Sequence, residues 1–583
     1  MRPNPEYAHA WRYQNRDLAS RLIGRTTLPG VFTRLAASEH NLPALTWYDG
    51  DARSLHVDYR GLVQQVRSMA HWLFSGCGVR RGDRVVVISS NCPEAFAAHL
   101  AIMSLGAITV PVNNVESERV LKLIVEQVSP CAVLTGRRVE PNLEAVRGRK
   151  VFRLPSLPIT EAQSKPESWP WPCGQVAPDD PAVILFTSGT TSSPKGVCLS
   201  HYNLLINAEG LAKTHNLAVH RNHLCILPLF HANAFGYSMI GSVYSGVHVV
   251  LCDGLPGESI WSIMRNERID ILSAVPEILR VLSQIPVPRQ TLRDLKYVVS
   301  AAAPLSKGVA REFRAKTGID IHQGYGLSEC VNFAATIPWN VTAENLERLM
   351  QHWSVTSIGP ALFGCEMRVR RQDGSLAEEE EEGEIVVSGH TVMLGYWGAE
   401  DATRAAIGRG YLSTGDLGFF ASIDGEPHLF VTGRMKEIII RYGENVSPFS
   451  IEAELEELRQ IGPFAVTGFA NEAAGEEIGL YIVAAPNPKN QKQALDAVRK
   501  CPARYRPRVV VFGEEPVPAT PTGKVKRALL AQKFQQYAKR SFGSEPVLGR
   551  GTDRARPARP VGWGVGRPAD APQAGGSRQG DNP

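Results

Sequence analysis

Along the chain, apolar positions fall into blocks whose period switches between helix-like and strand-like. Leu62, Val66, Met69, Ala70 and Leu73 recur every three or four residues, which predicts an amphipathic helix over 58–74, with Gly76 and Gly78 placed to stop it. Arg80-Arg81-Gly82-Asp83 reads as a turn and Arg84–Ile88 as a buried strand. Pro93 and Glu94 open another helix, and Ile108–Pro111 is the next strand. Leu121–Val128 followed by Ala132–Leu134 repeats the alternation, and it resumes beyond residue 200. This rhythm implies an α/β fold with a parallel sheet and helices on its faces. The longest apolar stretch, Ala95 to Val112, is broken by His99 and Gly106 and flanked by Glu94, so it reads as helix then strand rather than a membrane span.

After about residue 432 the pattern changes. Glu437–Ile440 reads as a strand, and Ser447-Pro448 as the N-cap and first-turn proline of a helix running into Ile451–Leu458. Ile478–Ala484 and Val509–Phe512 supply further strands, with a helix over Gln491–Lys500 between them. The expected division is a large N-terminal α/β domain over 1–434, a small α+β domain over 435–540, and a disordered tail over 541–583. That tail is rich in Gly, Pro and Arg and poor in bulky apolar residues. The run Glu378–Glu382 lies between two strand-like segments and is expected to be a solvated hairpin tip.

Composition narrows the picture only a little. The 583 residues are enough for several domains, and 43% hydrophobic with 21% charged is ordinary for a soluble protein. A net charge of +5, from 63 basic against 58 acidic residues, is too balanced to argue for nucleic acid. The ten cysteines include no CxxC pair, so neither a zinc site nor a disulfide frame is suggested. Free thiols in a reducing, cytoplasmic setting are expected, and residues 1–17 show no apolar signal-peptide core.

The densest candidate chemistry is ILFTSGTTSSPKGVCLSH, residues 184–201. An apolar strand, Ile184–Phe186, runs into Thr187, Ser188, Gly189, Thr190, Thr191, two further serines and Pro194, and then Lys195. Such a loop offers backbone N–H groups, hydroxyl donors and one ammonium, which suits a polyphosphate; a plain polar connection is the alternative. Lys195 precedes Gly196 and Val197 follows, so this is not the lysine–serine/threonine phosphate loop of P-loop NTPases.

Five further stretches accompany it: YVVSAAAPL at 297–305, HQGYGLSE at 322–329, YLSTGDLG at 411–418, TGRMKEIIIRYGENVSPFSIE at 432–452 and PATPTGKVKR at 518–527. In this order and at these separations they resemble the adenylate-forming (AMP-binding) superfamily of acyl-CoA synthetases, stand-alone adenylation enzymes and luciferases, over roughly residues 20–535. The resemblance implies a multi-sheet large domain with a small mobile C-terminal domain. It implies an ATP-dependent acid–thiol ligase that makes acyl-AMP, releases pyrophosphate and passes the acyl group to coenzyme A. The alternatives are loading of a carrier protein's phosphopantetheine in trans, and a nucleotide-binding regulator without turnover.

The resemblance also implies roles for individual residues. The loop Thr187–Lys195 would hold the β- and γ-phosphates. Ser300, Ala301 and Ala302 would wall the adenine, and Tyr325, between Gly324 and Gly326, would stack on it. Ser328 would meet the α-phosphate, and Glu329 would bind Mg²⁺, a hard cation suited to a carboxylate plus phosphate oxygens. Asp416 would accept from the ribose hydroxyls, with Arg434 as a nearby donor. Lys524 would reach the reacting carboxylate and the α-phosphate, and Lys436 would be the hinge. Ser192, Ala301 and Ala302 stand where glycine is usual, and Ser328 where threonine is.

The segment LPLFHANAFGYSMIGS, 227–242, would line the acid pocket, with His231 either gating its mouth or sitting at the edge of the core. Asn233 stands where amino-acid-activating relatives carry an aspartate; an unpaired buried ammonium is costly, so a fatty or aryl acid is expected. Phe235 would add apolar lining, and the stretch Val331–Ser357 would shape an entrance.

Overall fold

The structure is a computed structural model of the 583-residue chain. It describes residues 4–136, 139, 144–158, 176–187, 194–288, 292–520 and 523–549.

Two largely parallel sheets form the body of the large domain. One runs, in spatial order, through Ala335–Thr336, Asp320–Tyr325, Tyr297–Ser300, Ile271–Ala274, Asn222–Cys225, His248–Cys252, Pro43–Asp49 and Ala52–Asp58. The other runs through Gly395–Tyr396, Lys195–Ser200, Pro181–Thr187, Ile108–Val112, Arg84–Ile88, Ala132–Thr135 and Val151–Arg153. The helix Pro93–Ser104 is buried at every position, and its even apolar character has that physical meaning: it has no solvent face to keep polar. The helix Tyr59–Ser75 keeps the expected stripe. Asp58 caps its start by accepting from the Gly61 N–H at 2.7 Å, and Gly76 ends it. Among the described residues no helix is long and apolar enough to cross a membrane.

A third sheet is antiparallel and carries Tyr411–Ile423 paired with Glu426–Arg434. Glu378–Glu382 sits between two of its strands, Cys365–Arg370 and Gly383–Gly389, as expected of a hairpin tip, but it is not simply solvated. Arg371 pairs with Glu381, the Trp353 indole donates to Glu380 at 3.0 Å, and Glu382 accepts from Thr432.

The C-terminal sheet contains Glu444–Val446, Ile439–Arg441, Gly475–Val483, Phe464–Asn471 and Val509–Gly513. Three sequence expectations change here. The strand begins at Ile439, because Met435–Glu437 form a 3₁₀ turn. Ser447 precedes the helix Pro448–Glu454 but does not cap it; its hydroxyl donates instead to the Thr432 carbonyl at 2.6 Å, tying the helix to the preceding strand. Val547–Gly549, assigned to the disordered tail, add a parallel edge strand to Val509–Val511. The described cysteines are all free thiols; Cys173 lies outside the described residues.

Candidate active site

The two antiparallel strands Tyr411–Ile423 and Glu426–Arg434 put Asp416 opposite Arg434, with Arg434 Nε 3.0 Å from Asp416 Oδ1. Tyr325, at the end of the strand Asp320–Tyr325, donates its hydroxyl to Asp416 Oδ2 at 2.6 Å. Residues from three separated motifs thus converge on one buried carboxylate. Burial, then the Asp416 charge, hold the Tyr325 hydroxyl well above its ordinary pKa, so it stays protonated and donates.

The flanking glycines are there for space. A Cβ on Gly324 would lie 2.2 Å from the Phe333 ring, and one on Gly326 would lie 1.5 Å from the Asn332 carbonyl oxygen. The chain makes this close turn through Ser328–Cys330, a 3₁₀ turn, and Val331, whose φ of 71° is a genuine outlier for a β-branched residue. At the end of the neighbouring parallel strand Ser300 and Ala301 are buried, the Ser300 hydroxyl has no partner, and Ala302 adopts φ 72°, a conformation that suits the glycine usual there.

Glu329 is held by a residue that sequence reasoning missed. The Tyr396 hydroxyl donates to Glu329 Oε1 at 2.8 Å, and Lys195 Nζ stands 4.8 Å from the centre of the same ring. The only signal was topological: Gly395–Tyr396 pairs antiparallel with Val197–Cys198, which brings Tyr396 beside the lysine of the loop. The Met393 N–H also donates to the Glu329 carbonyl at 2.8 Å, and the Trp11 indole donates to the Met393 carbonyl at 3.2 Å. Thr187 pairs with Lys195 across the base of the loop, its hydroxyl 3.5 Å from the Lys195 carbonyl. Ser188, Gly189, Thr190 and Thr191 lie outside the described residues.

Lys524 comes from the C-terminal unit. Its turn is pinned by the Thr520 N–H donating to the Lys524 carbonyl at 2.8 Å and the Lys524 N–H donating to the Thr520 hydroxyl at 3.1 Å. Gly523, at φ 83°, makes the turn possible. The side chain stays accessible to solvent yet hangs in a crowded cleft that it shares with Arg434, Asp416, Glu329 and Glu437. Desolvation and the Arg434 charge pull its ammonium below the ordinary lysine value, against the three carboxylates. Lys436 is exposed in the 3₁₀ turn between the two units. Across the junction Ser306 donates to Glu456 at 2.8 Å. Within the small unit, buried Arg527 pairs with Glu437 at 2.9 Å and Glu452 at 2.7 Å.

His231 lies close enough to Lys524 to feel its charge; burial first, then that charge, lower its pKa to about 4, so the ring is neutral at ordinary pH. Two residues on, a π-helix spans Asn233–Gly241, a form that recurs at functional sites. Asn233 is buried and its side-chain amide oxygen accepts from the Ser273 hydroxyl at 2.9 Å. Phe235 is fully buried and packs edge-on against His99 at 5.5 Å. The segment 331–357 folds as the short strand Ala335–Thr336 and the helix Ala343–Gln351, and Asn332 packs against Gly236 of the π-helix.

Among the described residues no group of three metal-binding side chains occurs. Glu329 is a single carboxylate with one oxygen held by Tyr396. That donor set fits a cation that takes most of its ligands from phosphate and water, as Mg²⁺ does, and does not fit an all-protein cage.

Residues 32–397, more than half of the chain, match the AMP-binding enzyme family. The chain is 29% identical over 495 residues to a long-chain-fatty-acid–CoA ligase of Mycobacterium tuberculosis, covering 82% of this chain and 94% of the relative. It is 30% identical over 472 residues to a sulfoacetate–CoA ligase of Cupriavidus necator, covering 78% and 89%. It is also 28% identical over 482 residues to a feruloyl-CoA synthase of an Amycolatopsis species, covering 82% and 94%. The ATP-bound crystal structure of MatB from Rhodopseudomonas palustris superposes with a TM-score of 0.77 at 25% identity, over 88% of this chain and 100% of that one. The motif residues gathered on one cleft and the likeness that runs through the large domain have one reading: the chain belongs to the AMP-binding enzymes, the ATP-dependent adenylate-forming ligases.

Proposed function

We propose that the chain condenses a carboxylic acid lacking an α-amino group with ATP to give acyl-AMP and pyrophosphate, and then passes the acyl group to coenzyme A. The observation that carries this reading is the entry of Lys524 into the same field as Glu329, Asp416 and Arg434. A carboxylate repels nucleophiles; joining it to AMP gives a mixed anhydride with a good leaving group. No side-chain nucleophile is needed, because the acid's own oxygen attacks the α-phosphorus. Negative charge grows on the α-phosphate oxygens and the departing pyrophosphate, and the protein's work is to meet it with donors already in place.

Each side chain then has a task. Tyr325 gives its ring to the purine while its hydroxyl keeps Asp416 aimed at the ribose, and Arg434 holds the other carboxylate oxygen. Ser300, Ala301 and Ala302 close the adenine slot, and Gly324 and Gly326 let the backbone approach it. Ser328 donates to the α-phosphate. Lys195 and the loop from Thr187 take the outer phosphates. Glu329 would hold Mg²⁺, and the ion would supply neutralisation of the phosphate charge. Lys524 bridges the acid's carboxylate and the α-phosphate. Loss of one such contact costs on the order of 2.7–4 kcal/mol.

The second step needs Lys524 withdrawn so that a thiol can enter, with Lys436 in the 3₁₀ turn as the pivot of that rotation. The named relatives act on acids as unlike as a long-chain fatty acid, ferulate and sulfoacetate, so family likeness does not choose the acid. The test is acid-dependent exchange of labelled pyrophosphate into ATP over a broad panel of acids, followed by a comparison of thiols. Exchange with at least one acid and acyl transfer to coenzyme A are expected; no exchange with any acid overturns the reading.

A further inference from the structure

On its side towards the strand Gly383–Gly389, Asp416 does not sit in a regular ladder. Val386 faces Ser413 and Glu384 faces Leu417, so two steps along one strand oppose four along the other. The surplus residues fall at Thr414-Gly415-Asp416, and Gly415 takes φ 70° within this bulge. A bulge re-aims a side chain, and the one it carries here is the carboxylate that meets Tyr325 and Arg434.

A bulge also frees backbone N–H groups from the ladder, and they need other partners. Two side chains supply them. The Thr414 hydroxyl accepts from the Asp416 N–H at 3.0 Å and donates to the Ile385 carbonyl at 2.6 Å. Glu384 Oε1 accepts from the Gly415 N–H at 3.2 Å. Glu384 is itself anchored from across the sheet. Arg370 stands directly opposite it on the strand Cys365–Arg370, and Arg370 Nη2 donates to Glu384 Oε2 at 2.6 Å. The same nitrogen donates to the Ser413 hydroxyl at 2.7 Å, one residue before the bulge. The Arg370 and Glu384 side chains are 13% and 16% exposed, so water screens the pair little. Tyr325 and Arg434 thus hold the Asp416 oxygens, while Glu384 holds the backbone that carries them.

We propose that Glu384 is a positioning residue for the nucleotide: anchored by Arg370, it fixes the Thr414–Asp416 bulge so that the Asp416 carboxylate meets the ribose hydroxyls. This rests on the reading of Asp416 as the ribose acceptor. A misplacement of about 1 Å can cost about 100-fold in rate, so a side chain that sets this backbone acts on the nucleotide without touching it. Its effect is read in what the enzyme demands of the ribose.

The full chain would be assayed by pyrophosphate exchange with ATP, 2′-deoxy-ATP and 3′-deoxy-ATP, using the acid that supports exchange best. A site that hydrogen-bonds the ribose rejects analogues lacking a hydroxyl, so ATP should lead at least one of them by about tenfold or more in kcat/KM. Asp416→Ala, assayed at high enzyme concentration, should lose that lead. Glu384→Ala should raise the KM for ATP about tenfold and cut the lead at least about threefold, with the KM for the acid within about twofold of the parent. Glu384→Gln keeps an oxygen for the Gly415 N–H but weakens the hold of Arg370, so it should fall between the two. It is nearly isosteric and decides the matter should the alanine variant not fold. A merely structural role would slow exchange with all three nucleotides in proportion. An intact lead in the Glu384 variants, with Asp416→Ala having lost it, overturns this proposal alone. No lead in the parent, or one that survives Asp416→Ala, overturns the reading of Asp416 and this proposal with it. Absence of exchange with every acid overturns the parent reading of the enzyme, and both fall with it.

Discussion

Glu329 follows the strand Asp320–Tyr325 of the large domain, and Lys524 belongs to the C-terminal unit. Tyr396 fixes one oxygen of Glu329, so Tyr396→Phe removes a hydrogen bond to a charged group, worth about 1.5–3 kcal/mol. Pyrophosphate exchange should fall about 10- to 100-fold and need more Mg²⁺ to saturate, while the thioester step from supplied acyl-AMP should change little. Lys524→Ala should nearly abolish adenylate formation and spare that same second step; equal damage to both half-reactions would count against two separate poses. The pH profile follows from the direction of the Lys524 shift. Its ammonium is the working form and its pKa is lowered, so adenylation should decline as pH rises through a value below the ordinary 10.5. Lys524→Arg should move that alkaline limb upward. The motif residues stood out as candidates because their chemistry is local to short strings. Tyr396 did not, because its partner Glu329 stands 67 residues away and its own strand is placed by pairing with Val197–Cys198.

At the scale of elements, periodicity located helices and strands well wherever one face met water, as in Tyr59–Ser75. It could not show that Pro93–Ser104 would be enclosed on all sides or that Asn233–Gly241 would widen into a π-helix, since both depend on what packs against them. Ser447 has the sequence of a cap but spends its hydroxyl on Thr432. Ala302 offers a test of the adenine wall. Its φ of 72° is unfavourable for any L side chain by about 1–2 kcal/mol and worse for a β-branched one. Ala302→Gly should therefore leave the thermal midpoint at or slightly above the parent, and Ala302→Val should lower it. The reverse order in a melting experiment would mean that the wall does not hold this backbone shape.

Across the whole molecule, the two units meet where Ser306 donates to Glu456, which also pairs with Arg459 at 3.0 Å. In this structure the contact accompanies Lys524 in the cleft, so in the proposed two-pose cycle it would favour the adenylating pose. Glu456→Ala should weaken that pose, slowing pyrophosphate exchange a few-fold while leaving thioester formation from acyl-AMP unchanged or faster; slowing of both steps alike would show that the contact does not favour one pose. Lys436→Pro should hinder passage between poses, and unchanged kinetics in both steps would remove it as the pivot. The pattern changes near residue 432, where the strand Glu426–Arg434 gives way to the 3₁₀ turn Met435–Glu437. The last strand left no such trace: Val547–Gly549 is too short for a period and pairs with Val509–Val511.

One thread runs from the first helical turn, Pro5–Trp11, to the backbone of Glu329. The Trp11 indole donates to the carbonyl of Met393, whose own N–H donates to the main-chain carbonyl of Glu329. A bulky fusion or a protease nick near that turn would thus be sensed far off, as a shift of the Glu329 backbone in a cleft it never touches.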